Sequence, residues 1–309
     1  MRADQDKSQA PSQDPGVSSS GAVQIWKGLY AGALSGLASR FVVYPFDTLK
    51  SQLQVQGGLQ GAPAHRSLAT AALQVGRTEG LPGFYRGFST ILAGVIPANM
   101  AYFGGYELGK AMVPSDWGIL GNMATGAIAQ VTAGVVFNPI DIIKERMQVQ
   151  KLMSGVYSYG SSLDALKDLL RQDGPGGLLR GYWVTNSVWI PWNILYISSY
   201  EASRGMVARE MCKVGKVDDL PAWAIAACAA GSGGAAAIVT NPADVVKVRL
   251  QVLSAGKVGA GLSASKIARE IWLKEGLAGF FAGTSARVMS IAPGCAISWL
   301  LYENIKLLL

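Results

Sequence analysis

Apolar residues fall into six long runs along the chain, at about 25–53, 88–110, 117–149, 182–207, 221–252 and 284–308. Each is long enough to cross a hydrocarbon core of roughly 30 Å as a helix, which takes about 20 residues. The runs come in pairs, and a shorter amphipathic stretch lies inside each pair, at about 66–78, 161–172 and 263–274. In the second of these, Leu163, Leu166, Leu169 and Leu170 alternate with Asp164, Lys167, Asp168 and Arg171 at helical period. Gly28, Gly32 and Gly36 set two small-xxx-small steps on the first run, a face suited to close helix contact. Residues 1–22 are polar and rich in Ser, Gln, Pro and Asp, and are expected to form a disordered tail. They lack an apolar signal core and hold three aspartates, so targeting is expected to be internal.

A hexapeptide pattern recurs in register near the end of each odd run. It reads Pro45-Phe46-Asp47-Thr48-Leu49-Lys50, then Pro139-Ile140-Asp141-Ile142-Ile143-Lys144, then Pro242-Ala243-Asp244-Val245-Val246-Lys247. Four residues past each lysine stands a glutamine, Gln54, Gln148 or Gln251. Acidic-Gly pairs follow at Glu79-Gly80, Asp173-Gly174 and Glu275-Gly276, and then Arg86-Gly87, Arg180-Gly181 and, without its basic residue, Ala282-Gly283. Each copy ends in an aromatic-acid-x-x-base pattern at Tyr106, Tyr200 and Tyr302. Self-similarity at a period of about a hundred residues means three structural repeats, placed at 23–112, 113–208 and 209–309. A proline would break a soluble helix. In a membrane bundle neighbouring helices serve the freed backbone groups, so a kink at Pro45, Pro139 and Pro242 is tolerated.

Composition agrees with a membrane protein. Half the residues are apolar and 15% are charged, against about a quarter in soluble domains. The net charge of +7 gathers on segments 50–87, 144–180 and 247–287, which alternate with apolar runs. That is the pattern of loops on one membrane face, not of a nucleic-acid groove. Cys212, Cys228 and Cys295 have no paired spacing and read as isolated thiols. The single histidine, His65, sits in a loop-like stretch. No nucleophile–base set and no metal-ligand spacing is visible, so neither an enzyme nor a metal site is expected.

Charges at membrane depth are costly unless paired or facing water. Three equivalent repeats around an axis would set Asp47, Asp141 and Asp244 of one repeat beside Lys50, Lys144 and Lys247 of another. The result is a ring of ion pairs at one end of a central cavity. Glu107 with Lys110, Glu201 with Arg204 and Glu303 with Lys306 would form a second ring at the other end. Two rings that open in alternation make a two-state gate.

These motifs together resemble the mitochondrial carrier family over about 285 residues. The resemblance implies an all-α membrane protein: three tandem repeats of two transmembrane helices with a short matrix helix, in a pseudo-threefold bundle around a central cavity. It implies a multi-pass protein of the mitochondrial inner membrane, a monomer with no resident cofactor and bound cardiolipin, working by alternating access. The Asp and Lys residues of the hexapeptides match the family's matrix gate, with Gln54, Gln148 and Gln251 as braces. The Glu and Lys or Arg residues of the endings match its cytoplasmic gate. Ala282 departs from the pattern and removes one anchoring contact.

Family substrate positions fall on the even helices, here at Gly94-Val95, Val188-Trp189 and Ser290-Ile291. None carries the arginines of the polycarboxylate or adenine-nucleotide carriers. Arg40, five residues before Pro45, stands where relatives often place a substrate contact. Trp192, Tyr196 and Tyr200 form an aromatic stripe at helical spacing, suited to packing or to flanking a flat or cationic group. Pro97-Ala98-Asn99-Met100-Ala101-Tyr102-Phe103 and Ala296-Ile297-Ser298-Trp299 locally resemble iron carriers, but Arg40 and Asn99 stand where those have histidines. The expected function is transport of a small organic metabolite that is zwitterionic, amino-acid-like or cofactor-like. A metal-ion carrier and a non-transporting adaptor are the alternatives.

Overall fold

The computed structural model describes residues 19–57, 67–153, 156–212, 220–253 and 261–308, with the side chains of 19–35, 115, 119, 211–212 and 302–308 outside the description. The described residues are helical apart from turns, with no strand among them. Six long helices carry the fold: α1 (Ser19–Gln56), α4 (Phe88–Met112), α5 (Gly118–Val149), α7 (Tyr182–Cys212), α8 (Ala222–Leu253) and α10 (Thr284–Leu308). The short ones are α2 (Leu68–Thr78), α3 (Gly80–Phe84), α6 (Ser162–Gly177) and α9 (Ala264–Phe280). The polar tail read as 1–22 ends sooner, because α1 already begins at Ser19; residues 1–18, His65 and the side chain of Cys212 lie outside the described residues. Cys228 and Cys295 are unbridged thiols.

The helices follow one another around a ring: α4 packs on α5, α5 on α7, α7 on α8, and α10 on both α8 and α1, while among the described residues α1 meets only the start of α4, through Phe41 and Tyr44 against Phe88. Ser39 of α1 donates to Gly294 O of α10 at 2.8 Å across the contact between those two helices. Helices α1, α5 and α8 each continue through their proline, Pro45, Pro139 and Pro242. Pro45 has no N–H for Phe41 O, and Tyr85 Oη donates to that carbonyl at 3.4 Å instead.

Three of the four short helices start alike. Ser67, Ser161 and Ser263 cap α2, α6 and α9, their hydroxyls accepting from Thr70 N, Asp164 N and Lys266 N. The acidic-Gly pairs then bend the chain: Gly80, Gly174 and Gly276 have φ of 66°, 66° and 64°. A side chain there costs about 1–2 kcal/mol, which is why glycine recurs. α6 and α9 both break at these glycines, so their amphipathic parts end close to the predicted 172 and 274 and a short turn of helix follows each bend.

Polarity is arranged inside out. Ile96, Met100 and Phe103 of α4 are 67%, 71% and 59% exposed, and Trp183 of α7 is 71% exposed. Lys144, Arg146, Lys247, Arg249 and Arg287 are buried. Soluble proteins almost never bury so many charges and rarely expose such apolar faces. Among the described residues two stretches, Leu120–Val149 and Ala222–Leu253, are apolar enough over their length to count as spans by composition. The other long helices mix outward apolar faces with polar residues turned inward, which dilutes their hydropathy.

Candidate functional site

The three hexapeptides meet where α1, α5 and α8 converge. Lys144 Nζ lies 3.0 Å from Asp47, Lys247 Nζ 2.6 Å from Asp141 and Lys50 Nζ 2.8 Å from Asp244. Each aspartate thus pairs with the lysine of the following repeat, and the last pair closes the circle. Buried ion pairs hold when further hydrogen bonds satisfy them. Gln54 Nε2 donates to Asp244 at 2.9 Å, and Ser290 Oγ donates to Asp47. The other two glutamines differ from the brace reading. Gln148 bonds Thr48 Oγ1 at 3.2 Å and accepts from Ser51, while Gln251 donates to Asn138 and Thr185, both at 3.2 Å. One brace touches an ion pair; the other two knit neighbouring helices together.

A second layer lies beneath, unread in the sequence. The residue two past each lysine reaches the carbonyl of the next repeat's glutamine: Gln52 to Gln148 O at 3.2 Å, Arg146 to Gln251 O at 3.2 Å, Arg249 to Gln54 O at 2.7 Å. The acidic-Gly carboxylates take the arginines. Asp173 holds Arg146 at 3.0 Å and Arg180 at 3.3 Å; Glu79 holds Arg86 at 2.8 Å; Glu275 holds both ends of Arg249, with Nη2 at 2.9 Å. The contact that Ala282 removes is thus covered by Arg249. Below this layer Val55, Val149 and Val252 are fully buried under Met153 and Tyr157. Tyr157 Oη donates to Val252 O, and burial pushes its phenol up to about 12.

Above the ring opens a cavity of about 360 Å³. Of the substrate positions, Arg40, Gly94, Trp189, Trp192, Ser290 and Ile291 line it. Val188 and Tyr196 do not: Val188 is fully buried, and Tyr196 stacks between Trp192 at 5.0 Å and Tyr200 at 5.8 Å. That column continues from Tyr200 to Trp299 of α10 at 5.7 Å, so beyond Trp192 the stripe is packing. Gly94 packs closely on Ile140: a Cβ there would lie 2.3 Å from Ile140 Cδ1, so that side chain would have to move. Ser290 serves the ion-pair ring through Asp47.

Arg40 is not the only charge in the cavity outside the hexapeptides and endings. Glu145 and Arg287 also line it, both buried at the floor. Arg287 Nε lies 3.7 Å from Asp244 and its Nη2 bonds Thr240 at 2.9 Å. With three aspartates and Glu145 against three lysines and Arg287, the floor is formally neutral. Arg40 adds one positive charge with no carboxylate within ion-pair distance among the described residues. Asn99, Gln130 and Asn193, one each on α4, α5 and α7, also line the cavity, and their side-chain amides have no hydrogen-bond partner among the described residues. These amides were visible as polar residues inside apolar runs, but only packing reveals which face they occupy.

The three endings lie at the other end of the bundle. Glu107 pairs with its own helix neighbour Lys110 at 3.0 Å, both exposed, and Lys110 lies over the Tyr106 ring. Glu201 is exposed and Arg204 lies over the Tyr200 ring. The side chains of Glu303 and Lys306 lie outside the described residues. No ion pair between repeats forms here among the described residues.

A family model described as "Mitochondrial carrier protein" matches three times, over residues 21–117, 115–211 and 218–309. The chain is 30% identical to the mitoferrin of Dictyostelium discoideum, with 91% of this chain and 93% of that protein covered. It is 29% identical to the mitochondrial S-adenosylmethionine carrier protein of Xenopus tropicalis, covering 91% and 95%. It is 30% identical to the mitochondrial glycine transporter A of Danio rerio, covering 90% and 94%.

Proposed function

Since the chain belongs to the mitochondrial carrier family, whose model covers all three of its repeats, we propose that it carries a small organic metabolite across the mitochondrial inner membrane by alternating access. All six long helices span the bilayer in this reading. The ion-pair ring is the closed matrix gate, and the endings, which form no pair between repeats among the described residues, are the open cytoplasmic gate. Each opening of the ring exchanges three inter-repeat pairs for pairs at the opposite end, which makes the bundle bistable.

One observation carries the substrate reading: Arg40, whose guanidinium has no carboxylate partner among the described residues, faces a cavity whose floor is charge-balanced. A carboxylate or phosphate is the complement of that fork. Asn99, Gln130 and Asn193 each offer a donor and an acceptor, and Trp189 and Trp192 supply aromatic faces. Together they suit one anionic group on a molecule with neutral or amphoteric polar parts, such as an amino acid or a nucleoside-bearing cofactor. Mitoferrin among the relatives keeps iron as the rival reading, and a guanidinium repels a bare metal cation. The organic reading is tested by thermal-shift screening of the purified protein, because a ligand stabilises the state that binds it. Amphoteric organic acids should raise the melting temperature and ferrous iron should not; stabilisation by iron alone would reverse the assignment.

A further inference from the structure

The layer beneath the ion-pair ring is complete in two repeats and incomplete in the third. Arg146 spans from its own repeat's Asp173 to Gln251 O of the next repeat. Arg249 spans in the same way from Glu275 to Gln54 O. The equivalent residue of the first repeat is Gln52, whose carboxamide reaches Gln148 O at 3.2 Å but makes no bond to Glu79. A cavity of about 230 Å³ lies at this place, lined by Gln52, Gln74, Thr78, Glu79 and Lys151. It sits between the first repeat and the end of α5 in the second.

Glu79 already pairs with Arg86. That does not saturate it, since a carboxylate has about four lone-pair sites. Asp173, its counterpart, takes two guanidiniums, Arg180 from the position of Arg86 and Arg146 from the position of Gln52. The second of these is what the first repeat lacks. Glu79 is 5% exposed, so a cation bound there would be largely shielded from bulk water, where charge pairing is strong. Lys151 is exposed at the rim and makes no ion pair among the described residues.

We propose that this cavity binds the guanidinium or primary-ammonium group of a small ligand, which supplies the inter-repeat tie that Gln52 leaves incomplete. Bound there, the cation joins Glu79 of the first repeat to the second. It favours the conformation in which the ion-pair ring is closed, because the site exists between repeats that must part when the ring opens. The site is separate from Arg40 and the large cavity, so it acts as a regulatory site whatever the transported molecule.

The test uses the full-length protein, with methylguanidinium chloride as the probe and urea, tetramethylammonium chloride and sodium chloride as controls. Methylguanidinium should raise the melting temperature of the wild type saturably by a few degrees, with no such rise from the controls. Gln52→Arg, which carries its own guanidinium to Glu79, should melt higher without the probe and lose the response. Glu79→Gln should also lose it, whereas Lys151→Ala and Arg40→Ala should respond like the wild type. The proposal is overturned if methylguanidinium acts no differently from tetramethylammonium, or if Gln52→Arg responds like the wild type. A response confined to Lys151→Ala would also overturn it, by showing that the site belongs to the protein's own lysine.

Discussion

Asp47 and Lys144 lie in different repeats, 97 positions apart in the chain, yet their charged groups meet at 3.0 Å. The same offset joins Asp141 to Lys247 and Asp244 to Lys50, so each repeat holds both neighbours. Neither partner is well solvated, and removing one leaves the other as a buried unpaired charge.

Reversing this pair tests the ring. Asp47→Lys alone or Lys144→Asp alone should destabilise the protein by about 3–5 kcal/mol, the usual cost of an orphaned buried charge. The double exchange restores opposite charges and should recover most of the melting temperature and of the transport rate. A double variant as impaired as the two singles would mean that these residues act independently.

The arginine layer predicts an order of damage. Glu275 depends on Arg249, because Ala282 offers it nothing, whereas Asp173 keeps Arg180 when Arg146 is removed. Arg249→Ala should therefore lower the melting temperature more than Arg146→Ala. Adding Ala282→Arg to Arg249→Ala should restore part of the loss. Equal effects of the two single changes would contradict this division of labour.

How much of this was legible follows from the kind of signal each residue leaves. The hexapeptides stood out because charge inside an apolar run is rare and three copies in register fix a symmetry, so the pairing of Asp47 with Lys144 could be anticipated. The coverage of Ala282 by Arg249 could not, since it depends on two elements 26 residues apart whose packing no spacing encodes. Val188 failed for a related reason: counting along α7 gives its height, but the face it turns is set by contact with neighbouring helices. Gln148 and Gln251 have the spacing of Gln54 but different neighbours, Thr48 and Ser51 for one, Asn138 and Thr185 for the other. Asn99, Gln130 and Asn193 were readable as anomalies, not as a set, until three helices brought them to one cavity.

Tyr157 closes the underside of the ring, and its phenol acts there as a neutral donor to Val252 O. Burial raises its pKa to about 12, above the ordinary value of about 10. The folded state therefore holds this proton longer than the unfolded chain. The contribution is fully present below pH 10 and is lost as pH rises towards 12. Tyr157→Phe should cost about 1 kcal/mol at neutral pH and flatten the decline of the melting temperature over that alkaline window. An unchanged alkaline slope would show that the phenol does not contribute to this dependence.

The most direct measurement of the central claim is uptake into liposomes by Arg40 variants, using the organic acid that most stabilises the purified wild type. Arg40→Ala should abolish uptake while leaving the melting temperature of the unliganded protein unchanged, because Arg40 pairs with no carboxylate among the described residues. Arg40→Lys should recover only part, since an ammonium lacks the planar fork. Trp192→Ala should mainly weaken the apparent affinity. Wild-type uptake by Arg40→Ala would contradict the account, because the cavity guanidinium that has no carboxylate partner among the described residues would then have no part in holding the substrate.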